Sequence, residues 1–151
     1  LIRRGLDDEA TRTDRDRLLT ALAEIDALYE SGLEPHRGVG FVTHHDAWRR
    51  LTGRFGVRVV GVIRPIETSE PTPGAIAAAV DAVRSAEASL IIVEPQFDPG
   101  AARRVAELTG APVATLDPLG DGDWFAMMRA NLEALTDALG NPSDLGASGG
   151  D

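Results

Sequence analysis

Four short apolar runs alternate strictly with four helical patterns between residues 38 and 139, and this alternation limits the fold more than any other feature of the chain. The runs are "GVGFVT" (38–43), "VRVVGVI" (57–63), "SLIIV" (89–93) and "PVATL" (112–116). Each is bounded by turn chemistry and reads as a buried strand. Each is followed by a helical pattern. "AWRRLTGRFG" (47–56) sets Trp48, Leu51 and Phe55 on one face, with Asp46 placed to cap it and Gly56 to stop it. "TPGAIAAAVDAVRSAE" (72–87) has Thr72 as N-cap and Pro73 at the first position. Helices over 99–109 and 124–139 follow, with Asp98 and Asp123 as their caps. Strand and helix in strict turn predict an α/β fold: a four-stranded parallel sheet with helices on both faces, joined by right-handed crossovers.

Upstream, "DRDRLLTALAEIDALYE" (14–30) spaces Leu18, Leu22, Ile25 and Leu28 or Tyr29 as one apolar stripe, and Gly32 and Pro35 are expected to stop that helix. The opening "LIRRGLDDEA" is helix-like without an obvious cap and starts on Leu1, which is expected of a piece of a longer precursor. The Gly/Ser-rich tail, 141–151, is expected to be disordered. Trp48 and Trp124 fall at helical core positions, and His36 falls in a polar loop where solvation is expected. With 151 residues, 43% of them hydrophobic, one domain is expected.

Charge and composition exclude several classes. A net charge of −9, from 24 acidic and 15 basic residues, repels a phosphate backbone, so no nucleic-acid partner is expected. All basic residues are arginines scattered among acids along helices. Without cysteine, neither a disulfide nor a thiolate metal site can form, and any metal must be held by nitrogen and oxygen. The apolar runs are far shorter than the roughly 20 residues that span a bilayer.

In open parallel sheets, ligands bind beyond the carboxyl ends of the strands. Here those positions hold Thr43-His44-His45-Asp46, Arg64-Pro65, Glu94-Pro95-Gln96 and Asp117-Pro118. His45 and Asp117 are far apart in sequence, yet the topology sends both to one edge. Neutral imidazole and carboxylate together suit zinc, and also manganese or iron, whereas calcium and magnesium want oxygen throughout. The same residues fit plainer roles: Asp46 as a helix cap, Asp117 before Pro118 as an Asx-turn, Glu94 as a turn or ion-pair carboxylate. Nucleophilic catalysis lacks a G-x-S-x-G elbow, and a phosphate loop of the G-x-x-x-x-G-K-[ST] kind is impossible in a chain without lysine. A metal-dependent hydrolase using His45 and Asp117 with an open coordination position remains the enzymatic alternative.

Read in order, "HDAW", "RFGVRVVGV", "EPTP", "IIVEPQF", "AARRVAELTGAPVATLDPLG" and "MMRANLEAL" resemble the C-terminal half of the substrate-binding proteins of zinc and manganese ABC importers, the cluster A-I family, which includes adhesin-like lipoproteins. The resemblance runs from about Leu1 to Gly140. It implies two α/β lobes joined by a long helix, with one metal held between them by two ligands from each lobe. Residues 1–37 would then be the end of that connecting helix and the helix after it, and 38–140 the C-terminal lobe. His45 matches the family's third ligand and Asp117 its fourth, with zinc the expected metal and manganese the alternative. His44 and Glu94 are implied to be neighbours that support the site. The first two ligands have no counterpart here, so the resemblance implies half of a site, completed by an absent N-terminal lobe. The implied partner is a membrane permease, and the implied location is the periplasm or the outer face of the cytoplasmic membrane, with no catalysis.

Overall fold

The computed structural model describes residues 8–64, 71–85 and 87–140. The chain begins with a helix, α1 (Glu9–Leu33), and a 3-10 turn (Glu34–His36). Four β-strands then alternate with helices: β1 (Gly40–Thr43), α2 (Arg49–Arg54), β2 (Arg58–Val62), α3 (Pro73–Arg84), β3 (Leu90–Val93), α4 (Gly100–Thr109), β4 (Val113–Thr115) and α5 (Trp124–Leu139). All pairings are parallel and the strand order is β2-β1-β3-β4. The expected sheet is therefore present, and its order reverses at β1.

Two-residue periodicity explains how such short strands serve two faces. Phe41, Leu90, Ile92 and Ala114 point to one side, where they meet Ile25, Tyr29 and Leu33 of α1, Trp48 and Phe55 around α2, and Leu135 and Leu139 of α5. Val42, Ile91 and Val93 point to the other, against Ala79 and Val80 of α3 and Ala102 and Val105 of α4. Moving from β1 to β2 passes through α2 on the first face. Moving back across β1 to β3, and on to β4, passes through α3 and α4 on the second. Opposite directions with helices on opposite faces keep every crossover right-handed.

Gly40 lets the sheet close. A Cβ there would lie 1.6 Å from the Glu87 carbonyl oxygen, so the approach of the β3 lead-in to β1 tolerates no side chain.

Several local expectations are corrected. Gly32 does not stop α1: the helix runs to Leu33, and the missing side chain instead leaves room for Leu132 of α5, 3.1 Å from where a Cβ would stand. The cap is at Asp8, whose carboxylate accepts the Thr11 N–H at 2.8 Å. The apolar stripe of α1 is buried only at Ile25, Tyr29 and Leu33, while Leu18 and Leu22 are 50% and 38% exposed because no described element packs on that part of the helix. Helix α2 starts at Arg49 with no side-chain cap, and Asp46 pairs with Arg49 (2.7 Å) instead of capping. Thr72 and Asp123 cap as expected, but Asp98 does not: α4 starts at Gly100 with Pro99 at its N-cap position and no side-chain cap, and Asp98, one residue further out, accepts the Gly100 N–H at 2.9 Å. Trp48 is buried, but Trp124, expected in the core, is 45% exposed at the first position of α5, where its ring meets that of Phe125 edge-on at 5.1 Å. His36 is not solvated: the 3-10 turn folds its ring inward to 4% exposure. Residues 1–7 and the tail 141–151 lie outside the described residues. No described helix is long and apolar enough to cross a membrane.

Candidate metal-binding site at the sheet edge

The ladder of β1 continues one residue past the strand proper: the His44 N–H donates to the Ile92 carbonyl (2.7 Å), and the His44 carbonyl accepts the Arg64 N–H (2.9 Å). His44 is thus pinned between both neighbouring strands, and His45 is the first residue beyond the ladder. At β4 the last ladder bond runs from the Leu116 N–H to the Val93 carbonyl (2.9 Å), and Asp117 is the first residue beyond it. Because every strand is parallel, His45 and Asp117 leave the sheet at the same edge, separated by the end of β3. Two strand spacings put their backbones about 10 Å apart.

The segment after β3 fills that gap. Its Phe97 ring lies 5.5 Å from the His45 ring and 5.6 Å from that of His44. Its Gln96 donates from Nε2 to Asp117 Oδ1 at 2.6 Å. One short loop therefore touches both residues singled out from the sequence.

Asp117 is held from two sides. Its backbone N–H donates to Asn131 Oδ1 and its carbonyl accepts from Asn131 Nδ2, both at 2.8 Å, from a side chain only 3% exposed on α5. Its Oδ1 also accepts the Leu119 N–H at 3.0 Å, so the expected Asx-turn is present alongside any other role. That N–H foremost, then the Gln96 amide and the Gly120 N–H, hold the carboxyl below its ordinary value of 3.8. It is ionised at neutral pH, as a metal ligand must be. Sequence reasoning missed Asn131. The available signal was its position four and eight residues before Leu135 and Leu139, an amide in an apolar stripe.

His44 and Glu94 lie beneath this lip, each 2% exposed. Glu94 Oε1 accepts the Trp48 indole N–H at 2.8 Å, and its Oε2 faces His44 Nδ1 at 3.6 Å, longer than a hydrogen bond. Neither of those facing atoms has a hydrogen-bond partner. Glu94 is therefore a buried carboxylate tied to Trp48 and facing His44, and its carbonyl accepts the Phe97 N–H at 3.2 Å to start the turn that its position after a strand suggested. His45 is the more exposed of the two histidines. Among the described residues, no three His, Asp or Glu side chains gather closely enough to hold a metal ion.

The model of the family described as "Zinc-uptake complex component A periplasmic" matches residues 7–138. The high-affinity zinc uptake system protein ZnuA of Brucella abortus is 33% identical over 113 residues, covering 71% of this chain and 34% of that protein. The zinc-binding protein AdcA of Streptococcus pyogenes is 28% identical over 131 residues, 79% of this chain and 25% of that protein. The crystal structure of the laminin-binding protein Lbp of Streptococcus pyogenes superposes with a TM-score of 0.72 at 27% identity, covering 87% of this chain and 54% of that one. A crystal structure of ZnuA, at 21% identity, shares the fold with a TM-score of 0.74, covering 86% of this chain and 50% of that one. The chain thus spans about a third or less of the curated relatives' length and about half of the solved chains.

Proposed function

The chain belongs to the family of periplasmic zinc-uptake components, and from that premise we propose that it supplies two ligands, His45 and Asp117, to a metal site that the rest of a longer receptor completes. The observation that supports this most is the shared position of the two residues: each is the first beyond its strand's ladder, at one sheet edge, with the Gln96–Phe97 loop touching both. About 10 Å of backbone separation across two strands is a span that imidazole and carboxylate arms with an ion between them can bridge.

Zinc is the expected cargo and manganese the alternative. An imidazole and a carboxylate are both zinc ligands, and two of them fill half of the four-coordinate shell that zinc adopts in closed sites. The receptor so formed captures the ion outside the cytoplasmic membrane and passes it to a membrane permease, binding without catalysis. The relatives named above are uptake and binding proteins, which favours this reading over the hydrolase alternative.

His44 and Glu94 support the lip from below. A buried histidine and a buried carboxylate tied to Trp48 fix the path of β1 just before His45 and so limit where its ring can point. Equilibrium dialysis against zinc tests the assignment. The 151-residue chain is expected to bind zinc weakly, and His45→Ala and Asp117→Ala are each expected to abolish that binding; retention of wild-type binding by both variants would refute it.

A further inference from the structure

The contact between Gln96 and Asp117 carries a consequence for which ion the edge accepts. Asp117 Oδ1 receives two hydrogen bonds, from the Leu119 backbone at 3.0 Å and from Gln96 Nε2 at 2.6 Å. Two donors on one oxygen occupy the lone pairs that a chelated ion would need from it. Hydrogen bonds to an ionised acceptor are the stronger kind. Asn131 holds the backbone that carries this carboxylate at both its N–H and its carbonyl, which fixes where Asp117 stands on the edge.

We propose that Gln96 is a selectivity residue: by holding Asp117 Oδ1 it restricts Asp117 to a single donor oxygen and so favours an ion of low coordination number. Zinc fills a tetrahedral shell with one atom per ligand, while manganese prefers six oxygen-rich positions and gains from a chelating carboxylate. The Leu119 N–H belongs to the turn itself and constrains any aspartate at this place. Gln96 is the part that a side-chain change can remove. It is exposed at the mouth of the site, so its loss leaves the core intact.

This inference rests on His45 and Asp117 being the metal-binding pair, and its test separates the two claims. Zinc binding by equilibrium dialysis and manganese binding by water-proton relaxation, a readout suited to weak paramagnetic binding, are measured on the 151-residue chain and on Gln96→Leu, which keeps the bulk and loses the donor. The ratio of manganese to zinc affinity is expected to rise about tenfold in Gln96→Leu, at the lower end of what outer hydrogen bonds to metal ligands contribute. Infrared difference spectra should show the carboxylate stretches of the manganese-bound form drawing closer together in the variant, as a one-oxygen ligand becomes chelating. An unchanged affinity ratio overturns the role of Gln96. If His45→Ala and Asp117→Ala also leave binding unchanged, the site assignment itself has failed; if they abolish it, only the Gln96 inference has.

Discussion

Asn131 grips Asp117 by both ends of its peptide, accepting its N–H and donating to its carbonyl at 2.8 Å each, across 14 residues of sequence. A helix side chain thereby sets where the sheet's last aspartate stands. Asn131→Ala leaves two backbone groups without partners in a half-buried place, at a cost of about 2 kcal/mol. Thermal unfolding should show a melting temperature lower by about 4–8 °C for a chain of this size. A change below about 1 °C would mean that water replaces the amide at no cost.

The two adjacent histidines should separate by readout. His44 is buried beside Glu94 and Phe97, so His44→Ala is expected to destabilise the fold by about 2 kcal/mol while reducing zinc affinity only about tenfold. His45 lies past the ladder at the lip, so His45→Ala should cost less than about 1 kcal/mol in urea unfolding yet abolish zinc binding. Equal losses of zinc affinity in both variants would assign a ligand role to His44 as well.

Gly40→Ala should be among the most damaging single substitutions. The added Cβ meets the Glu87 carbonyl oxygen, a backbone atom that cannot swing away. A loss of more than about 4 kcal/mol, or failure to recover folded protein, is expected from circular dichroism and denaturant unfolding. Near-wild-type stability would show that the β3 lead-in can shift away from β1.

Burial of His36 lowers its pKa from the ordinary 6.5. A group whose folded pKa is depressed takes up its proton in the unfolded chain first. As pH falls below about 6.5, the unfolded state therefore binds more protons and stability is lost, down to the folded pKa. Unfolding free energies measured over that window should rise with pH, and His36→Phe should flatten the slope. An unaltered slope in His36→Phe would move the effect to another group.

Much of this architecture was legible in the sequence because it rests on local signals. The strands were visible as short apolar runs, and Thr72 and Asp123 as caps, since each acts on its own helix within three residues. Features set by distant partners were not. Gly32 looked like a helix stop, but its meaning is contact with Leu132, a hundred residues on. His36 looked solvated, because nothing local announces that a 3-10 turn will bury it. The edge position of His45 and Asp117 followed from topology alone, whereas the Gln96 and Asn131 contacts that shape Asp117 depend on side chains meeting across elements. The exposed Leu18 and Leu22 mark the reverse limit: their spacing was correctly apolar, but spacing does not say what covers a helix.

The measurement closest to the central claim is a zinc titration of the 151-residue chain, repeated over a range of protein concentrations with its oligomeric state followed by sedimentation. Two ligands are too few for a closed zinc shell, so a monomer should bind weakly, and His45→Ala and Asp117→Ala should each abolish the binding. Any tightening should appear only where two chains associate and pool their ligands. Tight one-to-one binding by a monomer, or binding that survives both substitutions, would contradict the half-site.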